Sequence, residues 1–292
     1  MKPILLIMIT YLCLLSSCGK ESPNDKLISK TKIKQLHFND SLNINILLDL
    51  SDRINYSNQK ENDLKHVLNI AKVFKEHVST KKNILLDDHL QLFFEPNPNP
   101  EKTDEVATQL KFGITKSTIN EIEIIDKNYA EYLPKLYEWS LENPETKKGA
   151  HIWRFFKDKA KDYCLKENHR NILIILTDGY LYHKESTQKK GKRTTRINQK
   201  LLNNPLLNKP NWKSVLEKND MGILWEKEKK LKNLEVLVLG IDKHNHKNPN
   251  AEDIIKYYWS KWFQEMGIKK YKIKSADIPT SLEGIIQDFI LL

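Results

Sequence analysis

Three apolar stretches, each closed by an acidic residue, dominate the hydrophobic pattern of the chain. They occupy residues 42–50, 171–176 and 234–241, and Asp49, Asp178 and Asp242 lie at or just beyond their ends. Near-continuous apolar runs of this length are typical of strands that are buried on both faces of a sheet. We therefore expect three central strands whose C-terminal ends are acidic.

Helical periodicity alternates with these strands. Apolar residues recur at helical spacing in five segments: 61–78, 117–142, 151–166, 252–266 and 280–291. Weaker strand patterns predict a hairpin of residues 89–94 and 109–114, joined by a long polar connection, and a short strand at 271–273. This order predicts an α/β fold, doubly wound, with a mostly parallel central sheet flanked by helices.

The N-terminus has the order of a signal peptide. Lys2 precedes an apolar run of roughly 12 residues, whereas a helix that crosses a bilayer needs about 20. Leu15-Ser16-Ser17-Cys18 resembles the lipobox of bacterial lipoproteins, which implies cleavage before Cys18 and acylation of that cysteine. An ordinary signal peptide with an incidental cysteine is the alternative.

The predicted organisation follows from this N-terminus. Residues 1–17 are a signal peptide, residues 18–38 a lipidated N-terminus and flexible tether, and residues 39–292 one domain with a Lys- and Asn-rich insertion at about 182–232. The expected location is the cell envelope, anchored to a membrane by lipid. Gly19, in place of the aspartate associated with inner-membrane retention, favours the outer membrane.

Composition narrows the choice of partners. The formal net charge is +10, with a dense basic run between residues 184 and 200, which suits acidic partners or anionic lipid surfaces. An exported lipoprotein rarely meets intracellular nucleic acid, so no nucleic-acid partner is expected. Cys164 would be the one cysteine left in the folded part, and its helical context favours a buried thiol over a nucleophile.

Acidic and hydroxyl side chains gather where the predicted strands end. Asp49 is followed by Ser51 and Asp52, and Asp178 and Asp242 would lie at the same edge of the sheet. Like charges repel there unless a cation or hydrogen bonds offset them. Carboxylate and hydroxyl oxygens are the ligands of Mg²⁺, Mn²⁺ or Ca²⁺. The pattern therefore suggests a divalent-cation site.

At these residues the chain resembles the von Willebrand factor type A family. Asp49-Leu50-Ser51-Asp52-Arg53 is similar to the family's Asp-x-Ser-x-Ser motif, and Thr177-Asp178-Gly179 to its Thr-Asp-Gly motif. The resemblance implies a metal-ion-dependent adhesion site, with Mg²⁺ or a similar ion held by Asp49, Ser51 and Asp178. Thr146 is the best match to the family's loop threonine.

Arg53 departs from the family motif, because it stands where the motif has its last serine. A guanidinium offers no lone pair to a cation. If Arg53 points into the site, it would neutralise Asp49 or Asp178 and make a metal unnecessary. If it points outward, Asp52 could supply the missing oxygen.

Three functions are compatible with this pattern. The first is a non-enzymatic module that binds an unidentified protein partner through the cation. The second is a metal-dependent hydrolase or phosphatase-like enzyme with Asp49 as nucleophile, and the third is a structural envelope lipoprotein with a degenerate metal site. The usual catalytic motifs are absent from the sequence, so we do not expect an enzyme. His183, His244 and His246 are expected to be exposed loop residues, and Trp259 and Trp262 to lie in the core.

Overall fold

A six-stranded sheet forms the centre of the protein. The computed structural model describes residues 40–226, 230–242, 247–277 and 279–292. The signal peptide and tether predicted in residues 1–38, including Cys18, lie outside these ranges, as do His244 and His246. The strand order is β3-β2-β1-β4-β8-β9, with β1 Ser41–Asp49, β2 Asp87–Glu95, β3 Lys111–Thr115, β4 His169–Leu176, β8 Leu234–Ile241 and β9 Tyr271–Ser275.

The sheet is mostly parallel. β1 pairs in parallel with β2 and with β4, and β8 pairs in parallel with β4 and with β9, whereas β3 runs antiparallel to β2. The chain moves outward from β1 to β3 and then crosses back to β4, so the winding direction reverses between β1 and β4. In doubly wound sheets this reversal opens a crevice at the carboxyl ends of the two strands, where ligands bind.

Helices cover both faces of the sheet, as the sequence predicts. The apolar side chains divide into two buried cores, one against each face. The helices α1, α3 and α8 pack on the first core, and α4 and α7 pack on the second. Their bounds are α1 Gln59–Ser79, α2 Thr103–Gln109, α3 Ile125–Glu142, α4 Ile152–Arg154 continuing through π-helical Phe155–Lys159 to Ala160–Cys164, α7 Ala251–Met266 and α8 Pro279–Leu291.

The region after β4 adds a small sheet to the second core. It comprises β5 Lys189–Lys190, β6 Arg193–Thr194, β7 Gly222–Ile223, α5 Gln199–Leu202 and α6 Trp212–Lys218. β6 pairs with both β5 and β7. Leu202, Leu216 and Ile223 are fully buried in the core that α4 and α7 cover. This part of the insertion therefore packs on the domain. Some of its residues, including Asn198 and Gln199, lie near the carboxyl ends of the central strands.

Several details differ from the sequence expectations. The hairpin of β2 and β3 is present, but its connection contains α2 in addition to polar loop residues. The segment expected as a helix from residue 117 begins as a 3-10 helix, Ile119–Ile124, before α3. The expectation of an exposed His183 is wrong: the ring is 7% exposed because it stacks on His151.

Other expectations about the core are confirmed. Trp259 and Trp262 are fully buried, and Cys164 is buried with its thiol free. Burial raises the pKa of the Cys164 thiol far above its ordinary value, so it is not poised as a nucleophile. None of the helices within the described ranges combines the length and the apolar character that crossing a bilayer requires.

Candidate functional site

The acidic ends of three strands meet at one edge of the sheet. Leu48 lies opposite Leu176, and Leu176 opposite Leu239, so the residues that follow these positions emerge at the same level. The backbone N–H of Asp242 donates to the carbonyl oxygen of Asp178 at 3.0 Å. The expectation that Asp49, Asp178 and Asp242 share an edge is confirmed.

The carboxylate of Asp49 is buried and held on both oxygens. Its Oδ1 accepts from the backbone N–H of Ser51 at 3.0 Å, and its Oδ2 accepts from the hydroxyl of Thr177 at 2.7 Å. Asp49 is 1% exposed. Burial raises the pKa of Asp49 above its ordinary value, although the charge of Arg53 and these hydrogen bonds act against the rise.

Asp178 lies beside Asp49 at the end of β4. Its Oδ1 accepts from the backbone N–H of Tyr180 at 3.0 Å. Burial raises the pKa of Asp178 to about 8, and the negative charge of Asp49 acts in the same direction. Gly179 turns the chain with a φ of 92°, and its carbonyl oxygen accepts from the Trp259 indole at 2.9 Å. The turn that presents Asp178 is therefore fixed to α7.

Arg53 points into the protein, toward α1 and α3. Its Nη1 donates to the main-chain carbonyl of Asp49 at 2.8 Å and to Asp63 Oδ2 at 2.9 Å, and its Nη2 donates to Asp63 Oδ1 at 3.1 Å. Tyr137 also donates a hydrogen bond to Asp63 Oδ2, and Gln59 donates to Oδ1. The guanidinium is thus paired by Asp63, and its contact with Asp49 is to the backbone.

The electrostatic state of Arg53 agrees with this pairing. The residue is 2% exposed, and burial alone would lower its pKa. The negative charge of Asp63, with smaller contributions from Tyr137 and Asp49, outweighs burial and raises the pKa above its ordinary value. Arg53 does not point to solvent, and its hydrogen bonds go to Asp63 and to the Asp49 main chain rather than to the carboxylate of Asp49 or Asp178. Its charge nevertheless acts to lower the pKa of both carboxylates.

A cavity of about 350 Å³ opens above these carboxylates. Ser51, Asp52 and Asp178 line it from the strand ends, and Gly149 and Ala150 line it from the loop before α4. The remaining lining residues are aromatic, amide and cationic: Tyr56, Tyr180, Tyr182, Arg196, Asn198, Gln199 and Lys200. The cavity therefore has an acidic floor and a wall that the insertion makes partly basic.

Thr146 lies in the loop from which Gly149 and Ala150 reach the cavity. Its hydroxyl donates to the carbonyl oxygens of Ser140 and Asn143, at 2.8 and 2.7 Å. The side chain is buried and engaged with its own turn. A role for Thr146 as a metal ligand stays a prediction. Both bonds use the hydroxyl proton, so the oxygen lone pairs are not engaged by them.

The donor set fits a hard divalent cation. Asp49 and Asp178 bring two carboxylates into a buried site where each disfavours the charge of the other. Ser51 and the exposed Asp52 add further oxygens beside them. A cation would offset this repulsion, and oxygen-only sites select Mg²⁺, Mn²⁺ or Ca²⁺. The charge of Arg53 also acts to lower the pKa of both carboxylates, but it is paired with Asp63 and does not outweigh their burial, so both pKa values stay raised.

Sequence reasoning missed three parts of the site. Thr177, inside the quoted Thr-Asp-Gly motif, holds the Asp49 carboxylate across the two strands. Asp63 lies ten residues after Arg53, on the following helix, and no local pattern marks it as the partner. The insertion residues of the cavity wall could be suspected only from the basic character of the segment.

Comparison with known proteins gives little further information. No protein-family model and no curated protein matches the chain. Among solved structures, the chain is similar to the crystal structure of the pilus adhesin SpaC from Lactobacillus rhamnosus GG in its open conformation. The two are 9% identical with a TM-score of 0.41, and the match covers 86% of this chain and 30% of the adhesin chain.

Proposed function

We propose that this chain is a non-enzymatic binding protein of von Willebrand factor type A character. Its strand-end cavity would hold Mg²⁺ or a similar ion through Asp49, Ser51 and Asp178, directly or through water, and would use that ion to bind a protein partner. The observation that carries the proposal is the burial of the Asp49 and Asp178 carboxylates side by side, with the Arg53 charge directed to Asp63.

The cavity wall favours an acidic partner. Arg196 and Lys200 line the same space as Asp178, and three tyrosines surround it. A carboxylate from the partner could complete the coordination of the ion and also meet the basic wall. The tyrosines offer apolar contact area with a polar tip, which is common at protein interfaces.

The surroundings of Asp49 favour binding over hydrolysis. A nucleophilic carboxylate needs an oxygen that is open to the substrate. Asp49 is 1% exposed, and both of its oxygens accept hydrogen bonds within the protein. The second lone pair of each oxygen can still take part in ligating a small ion, whereas attack on a substrate needs open space that the buried carboxylate lacks.

Calorimetry with Mg²⁺ and Mn²⁺ on the full-length protein in detergent tests the metal site. We expect one equivalent of ion to bind to the wild type and no binding to Asp178→Ala. Asp162→Ala removes an exposed carboxylate outside the cavity and serves as the matched control, which should bind like the wild type. Absence of binding in the wild type, or equal binding in Asp178→Ala, would contradict the proposal.

We also propose that the protein is a lipoprotein anchored through Cys18. The support is Leu15-Ser16-Ser17-Cys18 directly after the apolar run. The test is metabolic labelling with a palmitate analogue in a bacterium that processes lipoproteins. Label should enter the wild type and Cys13→Ser but not Cys18→Ser, and label retained in Cys18→Ser would refute the anchor.

A further inference from the structure

A second cluster of metal-type ligands lies at the opposite end of the sheet. Asp87 and His89 belong to the start of β2, and His169 is the first residue of β4, with β1 between the two strands. One ligand atom from each residue lies within 4.8 Å of the others. The two imidazole rings are 5.5 Å apart between centroids.

Asp87 and His89 both contact the ammonium group of Lys166. His89 Nε2 lies 2.9 Å from Asp87 Oδ1. Lys166 Nζ contacts both atoms, at 3.2 Å from Asp87 Oδ1. An ammonium group only donates hydrogen bonds. The Asp87 carboxylate and, in the tautomer with an unprotonated Nε2, the His89 lone pair therefore face a single positive charge.

Lys166 can leave this position easily. Its side chain is 39% exposed and ends a flexible four-carbon stem. Asp87 is 49% exposed, so the cluster is open to solvent on that side. A metal ion could therefore reach the cluster and take the place of the ammonium without rearranging the sheet.

The third ligand is oriented by its other ring nitrogen. His169 Nδ1 lies 2.6 Å from the carbonyl oxygen of Glu167. In the tautomer protonated at Nδ1, this nitrogen donates to that carbonyl and Nε2 has a lone pair for a metal ion. His169 Nε2 in turn lies 2.8 Å from the carbonyl oxygen and 3.4 Å from Oδ2 of Asp87. Without a metal ion, a proton on Nε2 makes this contact a hydrogen bond to the Asp87 carbonyl, and a bound metal ion would replace that proton. A backbone carbonyl that fixes the second nitrogen is typical of histidines that bind metals.

We propose that Asp87, His89 and His169 bind Zn²⁺, which displaces the Lys166 ammonium. Two imidazoles and one carboxylate are a ligand set that zinc accepts in tetrahedral sites, with water as the fourth ligand. The cation site at the strand ends offers only oxygens and selects hard ions. The two sites therefore differ in chemistry and lie at opposite ends of the strands.

Zinc at this position would link β2 to β4 across the start of β1. The backbone N–H of Leu42 is held by Asp88, the neighbour of both β2 ligands. The metal would thus stabilise the end of the sheet at which the chain enters β1. Since a ligand that binds only the folded state raises the unfolding temperature, zinc should stabilise the wild type.

The test is zinc titration in competition with a chromophoric chelator. We would use the full chain in detergent with Cys13→Ser and Cys18→Ser, because thiolates bind zinc. We expect one equivalent of zinc, an affinity at least about tenfold weaker in His89→Ala, and an affinity at least about tenfold stronger in Lys166→Met, which removes a competing like charge. Asp178→Ala should bind zinc like the unmodified background.

The stronger zinc binding expected for Lys166→Met cannot result from misfolding, because a folding defect would weaken zinc binding. Bound Co²⁺ in place of zinc should give the visible absorption of a tetrahedral site, and His89→Ala should lose it. The proposal is overturned if the background protein binds no zinc, or if His89→Ala binds it equally well. Loss of zinc binding in Asp178→Ala would likewise overturn it, by assigning the metal to the strand-end cavity.

Discussion

The Arg53 guanidinium and the Asp63 carboxylate form a two-pronged pair through hydrogen bonds of 2.9 and 3.1 Å, and each residue is only 2% exposed. The pair joins the turn after β1 to α1, and Tyr137 extends it to α3. Arginine at this position therefore has a structural role behind the cavity. Asp63 is its hydrogen-bonded counter-charge, and its charge also acts at longer range to lower the pKa of Asp178.

Arg53→Met should destabilise the protein by about 3 to 5 kcal/mol, since it leaves the Asp63 carboxylate buried without its counter-charge. Chemical denaturation measures the free energy of unfolding. Adding Asp63→Asn to Arg53→Met should recover a large part of this loss, because it removes the uncompensated charge and keeps an acceptor for Tyr137. A double variant less stable than Arg53→Met would contradict the pairing.

Thr177→Val should weaken cation binding at the strand ends by about 10- to 100-fold, because it removes the hydroxyl that orients the Asp49 carboxylate. Thr177→Ser keeps the hydroxyl and is the matched control, with near wild-type affinity expected. Mn²⁺ calorimetry gives both values. Equal affinities in the two variants would show that Thr177 does not position Asp49 for the ion.

Gly179→Ala should be strongly destabilising. A Cβ at this position would lie 2.6 Å from Ile241 Cδ1 and 2.7 Å from Ile255 Cγ2, and the φ of 92° is itself unfavourable for alanine. We expect a loss of about 2 to 4 kcal/mol from conformation and overpacking together. Thermal unfolding measures it.

Gly191→Ala is the control for this substitution, because Gly191 also has a positive φ, of 60°, but no atom of the described residues lies within 4 Å of its Cβ position. It should cost about 1 kcal/mol, the conformational part alone. If both variants lose the same stability, close packing around Gly179 is not the cause.

We expect Glu235 to stabilise the folded protein by an amount that depends on pH. Burial would raise the pKa of Glu235, but the hydrogen bonds and charge of Arg170, with Lys270, outweigh it and hold the pKa below the ordinary 4.5. A carboxyl group with a lowered pKa in the folded state stabilises fully above its ordinary pKa, and loses that contribution as pH falls through the folded-state value.

Glu235→Gln should therefore cost about 1.5 to 3 kcal/mol at pH 7, the range for hydrogen bonds to charged groups, and the difference from the wild type should shrink below about pH 4. Denaturant unfolding from pH 3 to pH 7 measures the free energy of unfolding of the wild type and of Glu235→Gln. The contributions of other titrating groups are nearly the same in both proteins and cancel in the difference. A constant difference across this range would contradict the ionic role.

Much of the fold could be predicted from the sequence because the information is local. The apolar runs that became β1, β4 and β8 are long and nearly unbroken, so burial on both faces was readable. α2 was missed because it is short and lies in a polar connection where the apolar spacing is sparse. His183 was misjudged because its burial depends on a ring contact with His151, from a distant loop.

The acidic residues of the candidate site could be placed from the sequence, but the residues that form hydrogen bonds with its members could not. Asp49, Ser51, Asp52 and Asp178 were found because each follows a strand whose end could be placed. The Arg53 side chain could not be oriented, since the choice depends on Asp63 and Tyr137, which only the packing of α1 and α3 brings near. The hydroxyl bonds of Thr146 are likewise a property of the folded turn.

The position of β1 has a mechanical consequence. The strand enters the sheet at Ser41, ends beside the cavity at Asp49, and is bonded along nearly its whole length to β2 on one side and β4 on the other. Tension applied between the two ends of β1 runs parallel to these strands. It loads the two hydrogen-bond ladders in shear, so many bonds share the force at once and none can be unzipped singly. Removing β1 by a force along its axis would therefore require both ladders to break together.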